Sequence, residues 1–437
     1  MAEALLIAAI ASAALFFLLR SANASLPRPW LMSLVGAAVV GVGFGASRGM
    51  RIHQKSFQNV PLEGVNYRHA SACTQCHPDH QRSWYRTYHR TMTQEASPES
   101  IIGDFDNAQF SFDDGYGRAF RTDDEFFIEL PDDPALVSER GMKPGTYRVD
   151  RVVGSHEVQV YMTKRPDGAY LTLPFEWRER DKRWVTTTGN FLQPPKERAL
   201  FGHTAEWNAS CSYCHNTKVS PRRQPPSSEI LYDTQVEELG IACEACHGPG
   251  AQHIEENRSP LRRYYYRLTG KADPTIVNPE RLPATESIQV CGRCHGKWYA
   301  KESSKRRILT ESDIFIPGQM PLAAHYEDPI ALLGRGEDAS GYLWPDQTPR
   351  PTSMEYQGVA LSACFQGGAM TCGSCHSMHD APPDTQLSMT DLPETAARED
   401  NSMCTQCHGE LATSGHGGHD KTIGCVDCHM PFQNFGL

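Results

Sequence analysis

The sequence has little of what a nucleic-acid-binding protein or an enzyme with a large apolar core needs. Its 42 Lys and Arg are outnumbered by 52 Asp and Glu, which gives a formal net charge of −10. This acidic balance argues against nucleic acid as a partner. Hydrophobic residues make up only 39% and aromatic residues 9% of the 437 residues, which is low for a core-rich chain of this length. Something other than side chains is therefore expected to fill part of the interior.

Cysteines are abundant instead, and almost all of them fall in one repeated motif. Their number, 15, is odd, which does not suit a framework made only of disulfides. The pattern Cys-x-x-Cys-His occurs seven times, and we number these motifs 1 to 7 in chain order. Motifs 1 to 7 consist of Cys73, Cys76 and His77; Cys211, Cys214 and His215; Cys243, Cys246 and His247; Cys291, Cys294 and His295; Cys372, Cys375 and His376; Cys404, Cys407 and His408; Cys425, Cys428 and His429.

The order of residues in this motif is the one that covalent haem attachment requires. The two thiols form thioethers with the vinyl groups of one haem, and the following His supplies the proximal nitrogen to the iron. Structural zinc, which combines Cys-x-x-Cys pairs two at a time, is the alternative. Zinc does not explain a His after every pair, and seven units would leave one unpaired. The sequence therefore predicts seven covalently bound c-type haems, with iron as the metal, that replace side chains in the interior. Because haem is attached to such motifs outside the cytoplasm, we expect an extracytoplasmic, periplasmic protein.

The second axial ligands must come from residues outside the motifs. Eleven histidines qualify: His53, His69, His80, His89, His156, His203, His253, His325, His379, His416 and His419. Chain length gives one constraint, because the three residues from His376 to His379 span at most about 10 Å. This is too short to pass around a porphyrin, so His379 would serve a different haem, and the same holds for His80 and His253. Methionine, which occurs 13 times, is the competing axial ligand.

Several stretches of the sequence resemble one superfamily of multihaem cytochromes c. The stretches are CTQCHPDHQRSWYRTYHRTM, GSHEVQVYMTKRPDGAYLTLPFEW, WNASCSYCHNT, ELGIACEACHGPGAQH, TCGSCHSMHD and HGGHDKTIGCVDCHMP. They are similar to the superfamily that contains the tetrahaem electron acceptor of hydroxylamine oxidoreductase and the longer cytochromes with tetratricopeptide repeats. The resemblance implies distal ligands at His89, His156, His253 and His379, and at His416 or His419. Two further candidates for distal ligands are His203 and His325. The chain has no Cys-x-x-Cys-Lys motif, the mark of a nitrite reductase catalytic haem.

The N-terminal region contains two apolar segments, 4–19 and 30–46. They are short for membrane spans, and Ala22-Asn23-Ala24 alternatively resembles a signal-peptidase site. Cleavage there would leave segment 30–46 as a stop-transfer segment and the haems in the cytoplasm, so we favour a transmembrane hairpin.

The expected fold is a mainly α-helical and irregular multihaem cytochrome c with a small β-rich insertion and this N-terminal hairpin. The expected parts are an anchor (1–50), the first haem module (51–92), the β-rich insertion (93–205), haems two to four (206–300), a wrapping loop (301–360) and haems five to seven (361–437).

Two functions fit these features. The first is a membrane-anchored heptahaem cytochrome that transfers electrons between a respiratory or photosynthetic membrane redox complex and other cytochromes or extracytoplasmic partners, without a small-molecule substrate. The alternative is a multihaem oxidoreductase in which one five-coordinate haem acts on a small nitrogen or sulfur compound. A haem ligated by two histidines has no vacant position for a substrate. The identity of the distal ligands therefore separates the two functions.

Overall fold

The computed structural model describes most of the chain from residue 66 onward. The described residues are 66–112, 115–130, 142–186, 206–311, 315–331, 335–336, 341–351, 353–368, 370–376, 378–379, 401–405, 407–410 and 424–429. Segments 4–19 and 30–46, to which the sequence assigns a membrane hairpin, lie outside these residues. Within the described ranges, no helix combines the length and the hydropathy needed to cross a membrane.

Nine strands lie between motifs 1 and 2 and form two antiparallel sheets. One sheet has five strands in the order β1-β6-β7-β8-β9, and the other has four in the order β2-β3-β4-β5. The strands are β1 (Thr93–Glu95), β2 (Ala108–Phe112), β3 (Gly115–Thr122), β4 (Glu125–Leu130), β5 (Gly145–Arg148), β6 (Arg151–Val153), β7 (Val158–Lys164), β8 (Tyr170–Arg178) and β9 (Arg183–Thr186).

Local sequence explains these hairpins. In β4 the burial alternates strictly from Phe126 to Leu130, the period-2 pattern of a strand with one face in the core. The β3–β4 connection is a two-residue turn in which Asp123 has a φ of 54°, a conformation that Asp tolerates better than most residues. Strand β8 is buried over seven consecutive residues, because both of its faces are covered.

The two sheets share the largest apolar core of the described chain. Its buried members include Ile128, Tyr161, Leu173 and Phe175, none of which exposes any surface. Trp177 is buried in this cluster and Trp184 packs against it.

The haem-motif regions also contain strands, together with many short helices. Two small two-stranded antiparallel sheets occur here. One consists of β10 (Asn216–Ser220) and β11 (Gln235–Leu239), and the other of β12 (Tyr299–Ala300) and β13 (Tyr326–Glu327). The α-helices are α1 (Pro78–Tyr85), α2 (Ser212–His215), α3 (Cys243–His247), α4 (Ala251–Glu256), α5 (Pro260–Thr269), α6 (Ala284–Gly292), α7 (Glu302–Thr310), α8 (Glu355–Leu361), α9 (Ala363–Gly368), α10 (Ser402–Thr405) and α11 (Cys425–His429). Short 3₁₀ helices cover Ala70–Ala72, Trp207–Ala209, Pro279–Arg281, Leu322–Ala324 and Cys372–Ser374.

The expected fold class is therefore wrong. The chain is not mainly helical and irregular with a small β-rich insertion, because strands make two substantial sheets and recur beside the haem motifs. The physical reason is that short strands need only a few alternating residues each, and that some of them pair across long stretches of sequence, as Thr93 does with Val153. The expected membrane hairpin does not form part of the described fold, in which no helix is long and apolar enough to cross a membrane.

Candidate haem-binding sites

Each motif folds as a single helical turn. In motif 1 the backbone N–H of His77 donates to the Cys73 carbonyl at 2.9 Å. Equivalent hydrogen bonds, from the His to the first Cys of the motif, occur in motifs 2, 4, 5 and 6, at 3.1, 2.9, 2.9 and 3.0 Å. Motifs 3 and 7 lie in α3 and α11. Positions i, i+3 and i+4 of a helix share one face, so both thiols and the imidazole of a motif face the same side.

Three proximal histidines each have a second histidine at the separation that an iron atom requires. The ring centroids of His77 and His253 are 6.2 Å apart, with an interplanar angle of 23°. The ring of His80 also lies 6.0 Å from that of His77, but three residues are too few for the chain to pass around a porphyrin to its other face. His247 and His379 are also 6.2 Å apart, with an angle of 24°. A metal–imidazole nitrogen distance of about 2 Å on both sides of one metal, plus the ring radii, gives a centroid separation of about 6 Å.

The third pair consists of His89 and His295, whose centroids are 6.2 Å apart with nearly perpendicular ring planes. The residues of all three pairs are far apart in sequence, so only the fold brings them together. His253 and His379 each lie beside the proximal histidine of a motif other than the one that precedes them, as the limit on chain reach requires. The residues present therefore fit a haem ligated by two histidines at motifs 1, 3 and 4.

Burial keeps several imidazoles of the motifs and of the three pairs in the neutral form that coordinates iron. Burial, with the nearby His295 and His156, lowers the pKa of His89 to about 4. Burial and the nearby His295 lower the pKa of His215 to about 4. The pKa values of His77 and His247 are lowered as well, again mainly by burial. Only an unprotonated imidazole nitrogen carries the lone pair that a metal needs.

Hydrogen bonds donated by Nδ1 orient two imidazoles of these pairs. His247 Nδ1 lies 2.7 Å from the Val277 carbonyl oxygen, and His253 Nδ1 lies 3.2 Å from Asp273 Oδ2. Such contacts hold the proton on Nδ1 and leave Nε2 as the metal ligand. Burial alone would raise the pKa of Asp273, but hydrogen bonds from His253, Thr275 and Asn257 lower it well below the ordinary value.

Sequence reasoning missed Val277 and Asp273 because they lie 30 and 20 residues from their imidazoles. No spacing rule connects residues at such distances.

At motif 4, His295 Nδ1 lies 3.8 Å from Glu355 Oε2. Glu355 raises the pKa of His295, and burial opposes this effect.

The other histidine candidates have different environments. His156 stacks on Tyr88 with a centroid separation of 3.7 Å. At motif 2, Thr93 of β1 donates from Oγ1 to the His215 carbonyl at 2.8 Å, and it pairs with Val153 in the sheet. His325 contacts Met320 and Ser304 through its two ring nitrogens, at 2.8 and 3.0 Å. His203, His416 and His419 lie outside the described residues.

Cysteines of different motifs are neighbours in the fold. The thiol of Cys73 interacts with Cys243, that of Cys214 with Cys294, and that of Cys291 with Cys372. Cys404 interacts with Cys425 in the same way. Cys246 lies near Cys291, and Cys375 lies near Cys407. Because thioethers do not titrate, these contacts matter here as geometry: they record which attachment sites are adjacent.

Among the described residues, no group of three or more His, Cys, Asp or Glu side chains is arranged to hold a metal ion by itself. The motif cysteines form no disulfide, and Cys364, which belongs to no motif, is exposed.

Comparison with known proteins points to the same chemistry. Residues 178–248, which include motifs 2 and 3, match the family model described as cytochrome c554 and c-prime. Over 174 residues the chain is 24% identical to the multiheme cytochrome MtrA of Shewanella baltica, covering 39% of this chain and 43% of that protein. The match therefore spans less than half the length of this curated relative.

Two solved structures are also similar. The outer cell wall cytochrome OcwA has a TM-score of 0.49 and 18% identity, with coverage of 83% of this chain and 77% of that chain. The undecaheme cytochrome from the S-layer of Carboxydothermus ferrireducens has a TM-score of 0.38 and 17% identity, with coverage of 90% and 54%.

Taken with the motif geometry, the family match and the curated relative define the class of protein. The chain is a multihaem cytochrome c with covalently bound haems.

Proposed function

We propose that the protein carries seven c-type haems and transfers electrons between extracytoplasmic redox partners. The observation that carries this proposal is a set of three histidine pairs, in each of which the ring centroids are 6.2 Å apart: His77–His253, His247–His379 and His295–His89. Two imidazoles saturate the axial positions of an iron, so such a haem accepts and donates electrons without binding a substrate. The protein contributes attachment, ligation and the electrostatic environment, while the haem supplies the one-electron chemistry.

The contacts between cysteines support a continuous route through the attachment sites. Motif 1 adjoins motif 3, which adjoins motif 4. Motif 4 adjoins motifs 5 and 2, and motif 5 adjoins motif 6, which adjoins motif 7. The resulting order is 1-3-4-5-6-7, with motif 2 as a branch at motif 4. A row of adjacent haems is the arrangement that electron tunnelling requires.

The distribution of the core supports haem as a structural element of the motif regions. The large buried cluster belongs to the two sheets between motifs 1 and 2. Beyond residue 206, the described buried clusters are small; one of them consists of Ile308, Phe315, Leu322 and Tyr326. Side chains alone would leave these regions under-packed, and apolar porphyrin plates would supply the missing buried surface.

Attachment of haem outside the cytoplasm supports an extracytoplasmic location. The partners that fit a chain of bis-histidine haems are other cytochromes or a redox complex, because both exchange single electrons. A catalytic role at one five-coordinate haem is the competing function, and it requires a motif histidine without a distal partner in the mature protein.

The test of this function uses the matured, haem-loaded protein. Intact mass should equal the polypeptide plus seven haems, and redox titration should show that every haem takes up one electron reversibly. Film voltammetry should show no catalytic current with nitrite, hydroxylamine, sulfite or tetrathionate. A catalytic wave with any of these compounds would support the enzyme instead, and fewer than seven haems would contradict the predicted loading.

A further inference from the structure

Helix α5 carries an apolar stripe that faces away from the protein. Leu261, Tyr264 and Leu268 expose 80%, 60% and 77% of their surface. They lie at positions i, i+3 and i+7 and therefore on one face of the helix. Large side chains exposed singly need no explanation, but three aligned on one helix form a patch of the kind that marks an interaction site.

A stripe of positive charge runs beside the apolar stripe. Arg263 and Arg267 are exposed on the adjoining face of α5. Among the described residues, neither guanidinium has a carboxylate partner; Arg263 donates only to the carbonyls of Asn257 and Arg258. We call Leu261, Arg263, Tyr264, Arg267 and Leu268 the α5 patch.

The opposite face of α5 is connected to the ligand set of motif 1. Arg262 is buried and forms ion pairs with Glu256 at 2.5 Å and with Asp273 at 2.8 Å. Asp273 in turn contacts the Nδ1 of His253. Two successive side-chain contacts therefore join the helix that bears the patch to the imidazole that pairs with His77. Motif 1 is one end of the proposed order of haems, which is where an electron has to enter or leave.

We propose that the α5 patch is the docking surface for an acidic redox protein that exchanges electrons with the haem of motif 1. This inference rests on the proposed electron-transfer function. A partner with an apolar centre and an acidic rim would bury the leucines and the tyrosine and pair its carboxylates with Arg263 and Arg267. Complementary charges of this kind raise the rate of productive encounter and set the orientation of the complex.

Two other occupants fit less well. A second copy of the chain related by a two-fold axis would place Arg263 and Arg267 against the same arginines, since an isologous contact uses one patch twice. A lipid surface would be contacted by three apolar side chains of a ten-residue helix, which is little apolar area for interfacial binding.

The experiment measures electron transfer to the oxidised holo-protein from a reduced plant-type ferredoxin, an acidic one-electron donor whose potential of about −400 mV suits reduction of bis-histidine haems. The test variants are Arg263→Glu with Arg267→Glu and, separately, Leu261→Ser with Leu268→Ser. The charge control is Arg121→Glu with Arg180→Glu, two exposed arginines of the β-rich part. The apolar control is Tyr116→Ser, because Tyr116 is 63% exposed on β3.

The proposal predicts that both α5 variants lower the second-order rate at low ionic strength by about tenfold or more, while the controls stay within about twofold. The effect of the charge variant should disappear at high salt, where surface charges are screened. Reduction by dithionite, which needs no docking, should be unchanged in all variants. Failure of haem loading or of reduction by dithionite in the wild type would contradict the proposed function itself.

Three results would overturn the docking proposal while leaving electron transfer intact. The first is an equal loss of rate in the α5 variants and the controls. The second is co-sedimentation of the wild type, but not the α5 variants, with phosphatidylglycerol–phosphatidylcholine vesicles. The third is a dimer in sedimentation velocity that disappears in Leu261→Ser with Leu268→Ser.

Discussion

Replacing Asp273 with Asn should raise the reduction potential of the haem of motif 1. Asp273 Oδ2 lies 3.2 Å from the Nδ1 of His253, and a carboxylate at this position gives the imidazole more anionic character and so favours ferric iron. Asn has the same shape and an oxygen that still accepts this hydrogen bond, but it carries no charge. Arg262 keeps its ion pair with Glu256, so the buried guanidinium is not left unpaired.

The size of this shift follows from the difference between two kinds of hydrogen bond. A hydrogen bond to a charged group contributes about 1 kcal/mol more than one between neutral groups. For a one-electron couple, in which a tenfold change in equilibrium constant equals 59 mV, this corresponds to about 40 mV. EPR-monitored redox titration of the holo-protein should therefore show one low-spin haem moving upward by about this amount while the others hold their potentials.

The matched control is Asp79→Asn. Asp79 is also close to motif 1 in sequence, but it is exposed and its ion pair is with Arg82, 3.1 Å away. Its replacement should shift no haem by more than about 10 mV, because exposed charges are well screened. A shift in Asp273→Asn that is downward, or no larger than the control, would refute the claim that Asp273 acts on an axial ligand.

Three further predictions follow from packing and ligation. His253→Met should replace one His/His haem by a His/Met haem of higher potential, seen as a new methionine–iron charge-transfer band; an unchanged spectrum would exclude His253 as a ligand. Gly240→Ala should remove the low-spin signal of the haem of motif 4, because its Cβ would lie 2.1 Å from the Arg90 carbonyl and 3.3 Å from that of His89 at a φ of +77°; an unaltered EPR spectrum would contradict this. Leu173→Ala, in the fully buried sheet core, should lower the free energy of unfolding by about 3 kcal/mol with haem content unchanged; a thermal midpoint equal to that of the wild type would count against the described core.

The haem-attachment motifs are visible in the sequence because their chemistry is local. The two thiols and the proximal imidazole of a motif must lie within one helical turn, as His77 does with Cys73, and so their spacing is visible in the chain. The limit on reach was also informative: His253 and His379 lie beside His77 and His247. Which histidine faces which motif was beyond sequence reasoning, since the His89–His295 pair depends on long-range packing.

The fold was harder to predict for a related reason. The sequence indicates strands in the β-rich insertion (93–205), but the number of strands and their division into two sheets depend on pairing between distant segments, such as Thr93 with Val153. Strands β12 and β13 pair residues 299–300 with residues 326–327, across a stretch that was expected to be a loop. Unpaired cysteines are usually buried, but Cys364 is exposed. None of these outcomes has a local signal of the strength that the haem motifs have.

Ligation of the irons between pairs of histidines is tested by near-infrared magnetic circular dichroism of the fully oxidised holo-protein, recorded with EPR on the same sample. We expect only low-spin ferric signals, with the charge-transfer band of His/His ligation for the haems of motifs 1, 3 and 4. A high-spin ferric signal equivalent to one or more haems would show an open iron position and would contradict a pure electron carrier.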